Sequence, residues 1–303
     1  MKLYENKELF ADLLERTSRH FNIRLSLVEK DYFIYLFLKK AKELVPGLVF
    51  KGGTSLSKCH KIVDRFSEDI DLTLDLDHFT QKYKRESLRT LIELANSYPF
   101  TLVNRSARLE HTHANYNFFN INYKRVYNDE TALPVIKMEM VYISKCYPYE
   151  QQSFISYIGE YLLILNRLDL IKEYDLDGFI LQVQTLERTF IDKVFAICDY
   201  FERNESYRNS RHIYDLYKIY PQINIKSNEF LRLINEVRND RKKSKRSLSA
   251  QQDYDINKTL QKIKDSNYFE RDYDEVTANL LYSNEDYKTV IKILDKIIEN
   301  KVF

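Results

Sequence analysis

Phe50-Lys51-Gly52-Gly53-Thr54-Ser55-Leu56-Ser57-Lys58, followed by Arg65-Phe66-Ser67-Glu68-Asp69-Ile70-Asp71-Leu72, is the stretch on which the fold turns. Leu48 to Lys51 reads as a short strand that runs into two adjacent glycines, and the whole chain has only five. A glycine pair there marks a backbone path or a close approach that a Cβ would forbid. Thr54 and Ser55 offer N-cap hydroxyls to a helix running towards Val63. Glu68 to Leu76 then alternates as a strand, which puts Asp69 and Asp71 on one face. Strand, glycine turn, helix, strand is the resulting pattern, with fifteen residues between Gly53 and Asp69.

The periodicity around this stretch predicts an α+β chain. Leu9, Leu13 and Leu14, then Leu27, Tyr32, Tyr35, Leu36 and Leu38, recur at helical spacing until Pro46-Gly47. Strands are expected at Phe100–Val103, Phe118–Tyr123 and Val135–Ile143, beyond a charged helix around Lys84–Asn96. From about Thr185 the pattern is helical almost throughout. The division expected from this is a mixed-sheet domain with N-terminal helices over 1–180 and an α-helical domain over 181–303. The boundary lies between about 145 and 185, with Tyr157–Leu170 bridging.

Composition narrows the classes. At 303 residues, 44% hydrophobic and 30% charged, the chain can bury two ordinary cores. Its longest apolar run, Tyr32–Leu38, is far short of the ~20 residues that cross a bilayer. No secretory leader is legible at Met1–Asn6, so a cytoplasmic address is expected. Cys59, Cys146 and Cys198 are odd in number and widely spaced, and read as buried thiols. A net charge of +2 predicts no global attraction to nucleic acid. The densest basic run, Arg238 to Arg246, reads either as a solvated loop or as a phosphate-contacting patch.

The chemistry gathers at the acids. Two carboxylates on one strand face repel unless a cation sits over them, and Mg²⁺ takes one or two carboxylates together with substrate phosphates. A third acid on a neighbouring strand would admit a second ion. Glu139 is the candidate, on a strand whose opposite face (Ile136, Met138, Met140, Tyr142) is apolar. The glycine pair and the helix start at Thr54-Ser55 fit a triphosphate cradle, while a plain tight turn is the bland alternative. His111-Thr112-His113 has no matching ligand set, and neither a Walker loop nor a Ser-His-Asp elbow is present.

Apolar-Gly-Gly, a helix, then Asp-apolar-Asp resembles the signature of the DNA polymerase β-like nucleotidyltransferases. The longer blocks Phe50–Lys58 and Arg65–Asp71, with Glu29-Lys30-Asp31-Tyr32 upstream, resemble the AbiEii/AbiGii toxin family, which includes the MenT toxins. Leu186–Lys193 and Arg211–Leu216 resemble its later motifs, so that the likeness covers about residues 25 to 220. It implies a polymerase β-like core and Mg²⁺-dependent transfer of a nucleotide from an NTP to RNA, notably the 3′ end of tRNA. It also implies a cognate antitoxin and a role in phage defence. In this family reading Asp69, Asp71 and Glu139 bind two metals, while Gly52, Gly53, Thr54, Ser55 and Lys58 surround the triphosphate. Lys193 neutralises phosphate charge, and Asp215 orients Lys193 by an ion pair or contacts the nucleotide, with a helix salt bridge to Arg211 as its structural alternative. Arg65 and Lys58 are expected near the pocket, or paired with Glu68 or Asp64. Two other classes stay open. One is a metal-dependent nuclease, whose usual Glu-x-Lys appears here reversed as Lys137-x-Glu139. The other is a non-catalytic RNA- or protein-binding module using the Arg238–Arg246 run.

Overall fold

The computed structural model describes residues 1–67, 69–75, 79–103, 116–127, 135–142 and 145–303. Glu68, His111 and His113 lie outside the described residues. The chain divides into two compact units, one of residues 1–50, 68–141 and 151–183, the other of 51–67, 142–150 and 184–303. The sequence-expected division after 180 falls near the change of unit at Val183/Gln184, while residues 51–67 and 142–150 group with the C-terminal unit.

The first unit is built on a mixed sheet. Its strands are β1 (Leu48–Lys51), β2 (Asp69–Leu74), β3 (Phe100–Leu102), β4 (Tyr116–Tyr123), β5 (Val135–Val141), β6 (Tyr149–Phe154) and β7 (Phe179–Gln184). They lie in the order β3-β4-β5-β2-β1-β7-β6. β1 runs parallel to β7 and β2 parallel to β5, whereas β3, β4 and β5 are antiparallel neighbours. Helix α1 (Lys7–Phe21) begins where the Asn6 side chain accepts from the Leu9 N–H, and ends at Asn22 in the left-handed region. Helix α2 (Leu25–Leu44) is buried on nearly all sides, as a core helix must be. Its Phe33 stacks on Tyr123 of β4, with ring centroids 4.5 Å apart. No described helix is long and apolar enough to cross a membrane.

The Glu29-Lys30-Asp31 block of α2 is structural. Glu29 accepts from the Val126 and Tyr127 N–H groups, and Asp31 from Tyr157 N–H at 2.7 Å. Burial raises the Glu29 pKa, an effect that those two N–H donors oppose. The Tyr157 N–H lies at the start of α5 (Tyr157–Ile164), so Asp31 fixes the entry to that helix.

The second unit is helical: α3 (Gly52–Lys58), α7 (Leu186–Glu202), α8 (Arg211–Ile219), α9 (Asn228–Arg241) and α10 (Ile256–Asp265) lead to a C-terminal helix at Ile293–Asn300. Thr185, Ser227 and Asp255 cap α7, α9 and α10 through their side-chain oxygens. Its core joins Leu56 and Val63 to Phe190, Val194 and Ile197 of α7, Ile213 and Leu216 of α8, and Leu294 and Ile297 near the C-terminus. The three cysteines are free and buried, as expected.

Candidate active site

Alternation along β2 buries Ile70 and Leu72 completely and leaves Asp69 and Asp71 half-buried on the other face. β5 repeats the pattern, with Met138 and Met140 buried and Lys137 and Glu139 half-buried. The register sets Asp69 beside Lys137 and Asp71 beside Glu139. Neighbouring strands run ~4.8 Å apart, and in-register residues share a face. All three predicted acids therefore share one sheet surface, with Lys137 as the cation among them. On β4, Phe118 lies opposite Glu139 and Asn120 opposite Lys137, completing the row.

Hard oxygen donors on one face suit a divalent cation such as Mg²⁺. Among the described residues, no three His, Cys, Asp or Glu side chains form a ready ligand group. An ion held by these acids would have to complete its sphere with phosphate and water oxygens. A cleft of about 700 Å³ elsewhere in this unit holds none of the predicted residues. Its lysines are tied to carboxylates, Lys2 and Lys39 to Asp175 and Lys40 to Glu43.

In the second unit the two glycines do different work. Gly52 has φ +80°, which favours glycine. Gly53 is required by a neighbour: a Cβ there would lie 2.5 Å from Arg65 Nη2 and 2.8 Å from Ser67 Oγ. The helix begins at Gly52 itself, with Lys51 as its cap, so Thr54 and Ser55 lie within the first turn rather than before it. Ser55 is fully buried, and its hydroxyl donates to the Gly52 carbonyl at 2.8 Å. Thr54 and Lys58 are also buried. The expected N-cap hydroxyls thus do other work: Ser55 braces the turn through the Gly52 carbonyl, and Thr54 donates to the Ser67 carbonyl at 3.4 Å.

Arg65 is the residue that sequence reasoning undervalued. Buried, it grips Asp215 with two hydrogen bonds, Nε to Oδ1 at 2.7 Å and Nη2 to Oδ2 at 2.8 Å. A forked pair of this kind is among the stronger polar contacts. Asp64, the partner first considered for it, takes Lys218 instead. Lys193 meets the same carboxylate at 2.7 Å. Asp215 thus lies between two cations. Burial alone would raise its pKa, but Arg65 and Lys193 hold the carboxyl far below the usual range. For Lys193, burial outweighs Asp215 and lowers the ammonium's pKa.

His212 completes the group, its Nδ1 lying 3.3 Å from Lys193 Nζ and its ring stacked on Tyr200. Burial, then the Lys193 charge, push its pKa well below the ordinary histidine value, so the neutral imidazole accepts from Lys193. Among the described residues, one of the three ammonium donors of Lys193 is left over. A continuous line of contacts thus runs from Gly53 through Arg65 and Asp215 to Lys193, joining motifs far apart in sequence. The best signal for it was the Arg-Phe-Ser segment just before the acidic pair.

The basic run divides. Arg241 binds Asp192 at 3.2 Å and Asp199 at 2.9 Å, and both Arg238 and Arg241 lie over the Phe195 ring. Lys242, Lys243, Lys245 and Arg246 remain exposed.

The model of the nucleotidyl transferase AbiEii toxin family, of type IV toxin–antitoxin systems, matches residues 36–297. The chain belongs to that family. It is accordingly a nucleotidyltransferase and the toxin of a type IV toxin–antitoxin system, with an NTP as substrate and an antitoxin as partner. Among solved structures, it is similar to MenT4, a nucleotidyltransferase toxin from Mycobacterium tuberculosis H37Rv. That likeness has a TM-score of 0.63 at 19% identity, over 94% of this chain and 88% of that one, and it shows the nucleotidyltransferase fold. No curated protein matches the chain.

Proposed function

We propose that this toxin transfers a nucleotidyl group from an NTP to a hydroxyl of an RNA acceptor, with the 3′ end of tRNA as the first acceptor to test. The observation that carries the reading is the register that sets Asp71 beside Glu139, with Asp69 on the same face. Asp69, Asp71 and Glu139 would hold Mg²⁺, which when bound supplies charge neutralisation at the α-phosphate and a lowered pKa for the attacking hydroxyl. In the transfer the acceptor oxygen forms a bond to the α-phosphorus, the bond to the β-phosphate bridging oxygen breaks, and pyrophosphate leaves.

The chain's own groups position and balance charge. Gly52 and Gly53 present backbone to the triphosphate, while the Ser55 hydroxyl braces that turn through the Gly52 carbonyl and the Thr54 hydroxyl ties it to the Ser67 carbonyl. Lys193, held by Asp215, directs its remaining donor to the phosphates as a compact cation. Glu139 orients the acceptor hydroxyl and receives its proton.

Incubation with each α-³²P-labelled NTP, Mg²⁺ and total tRNA tests this, beside Asp69→Asn/Asp71→Asn. Label on RNA that disappears in the variant is the expected result. Label on protein alone would transfer the reading to a protein acceptor, and label that persists in the variant would remove the acids from the chemistry.

A further inference from the structure

We infer that the exposed cations just beyond α9, Lys242, Lys245 and Arg246, form the tract that holds the backbone of the acceptor RNA. The inference rests on the RNA-acceptor reading and deepens it by assigning a binding surface. Three observations carry it. First, the segment is fastened to α7, the helix that carries Lys193. Arg241, the last residue of α9, is clamped to Asp192, the immediate neighbour of Lys193 on α7, and to Asp199 two turns on. Asp240 holds the other side by accepting from Lys145 N–H at 2.9 Å. The cations that follow are thus displayed from a fixed point at the end of α9.

Second, they are unneutralised. Lys243 is tied to Asp240 at 2.8 Å, but the side chains of Lys242, Lys245 and Arg246 have no carboxylate partner among the described residues. Like charges crowded without counter-charges cost stability. Exposed cations such as Arg16, Arg167 and Arg271 have an acid beside them, and others such as Lys258, Lys262 and Lys288 have none among the described residues; what sets Lys242, Lys245 and Arg246 apart is that all three fall within five residues. Third, the segment keeps its shape. The Arg246 carbonyl accepts from Arg203 Nη1 at 2.8 Å, and Gln251 Nε2 donates to the Ser247 carbonyl at 3.0 Å. Cations spaced over a braced turn suit successive phosphates of a polyanion, whose binding is sequence-independent and salt-sensitive.

The test separates binding from chemistry. Affinity for total tRNA is measured against salt concentration in the Asp69→Asn/Asp71→Asn background, with and without Lys242→Gln/Lys245→Gln/Arg246→Gln. A control triple, Lys258→Gln/Lys262→Gln/Lys288→Gln, removes the same charge at other exposed sites. The tract variant is expected to bind roughly tenfold more weakly near physiological salt, with a salt slope shallower by about 2, at ~0.7 per phosphate contact. In otherwise wild-type protein it raises KM for RNA and leaves KM for the NTP unchanged. An unaltered slope and affinity, or an equal loss in the control triple, overturns the tract while leaving transfer to RNA standing. Absence of RNA affinity at low salt in the parent overturns both the tract and the RNA acceptor. Selective binding of an acidic protein in place of RNA overturns it in favour of a protein partner.

Discussion

At the scale of single residues the structure changes what the paired glycines mean. Gly52 answers a backbone need, whereas Gly53 makes room for an arginine that belongs to Asp215. Gly53→Ala is therefore expected to displace Arg65. The guanidinium is held at all three nitrogens, by Asp215 and by the Phe66 carbonyl, so it gives way only at a cost and the substitution should destabilise by about 1–3 kcal/mol, as overpacking does. Urea denaturation measures that loss, and labelling should show transfer falling with it. Asp215→Asn leaves two buried cations facing a neutral amide and should cost about 3–5 kcal/mol. A double-mutant cycle with Arg65→Met should recover part of it. Additive losses would show that Arg65 and Asp215 are not coupled.

At the scale of elements, β2 and β5 act as one surface. Addition of Mg²⁺ should raise the Tm of the wild-type chain, because a ligand bound only by the folded state stabilises it. Asp71→Asn should abolish that rise, which a thermal scan in Mg²⁺ and in EDTA reads directly. The end of α9 offers a second contrast. Arg241→Gln strips Asp192 and Asp199 of a shared partner and should lower stability by about 1.5–3 kcal/mol. Lys242→Gln, one residue on and exposed, should fall within about 0.5 kcal/mol of wild type. Much of this was legible in the sequence where the information is local. Period-two alternation exposed β2 and β5 and the face that Asp69, Asp71 and Glu139 share. What it could not provide was register, which decides that Asp71 and not Asp69 stands beside Glu139. β6 escaped notice because its Glu150-Gln151-Gln152-Ser153 stretch lies at the sheet edge and is polar throughout. The Arg65–Asp215 grip spans 150 residues of sequence and has no periodic trace.

At the scale of the whole molecule, two buried histidines set an acid limit. Burial lowers the pKa of His60, whose Nε2 lies 3.0 Å from the Gln184 carbonyl, and burial with Lys193 lowers that of His212. Their unfolded forms take up protons below about pH 6.5, while the folded forms resist. The stability they contribute is present above that value and is lost as pH falls through the depressed folded pKa values. The Tm should decline from pH 7.5 to 5, and His212→Asn, whose side-chain oxygen can still accept from Lys193, should flatten the decline. The Asp215 carboxylate is protected further, its loss beginning only under much stronger acid.

The segment bearing Arg65 is itself held by distant chain. Phe66 N–H donates to the Leu280 carbonyl at 3.1 Å, Tyr282 N–H to that of Asp64 at 2.8 Å, and Arg65 bridges Leu281. Lys218 adds a side-chain tie to both Asp64 and Glu285. The consequence concerns dissection of the gene. A truncated fragment that keeps every recognisable motif through Asp215 but stops short of 280 would carry the full signature and still lack the segment that seats its arginine. Such a fragment, expressed in place of the intact toxin, should be harmless, and co-expression of the missing tail as a separate piece is the experiment that could restore its bite.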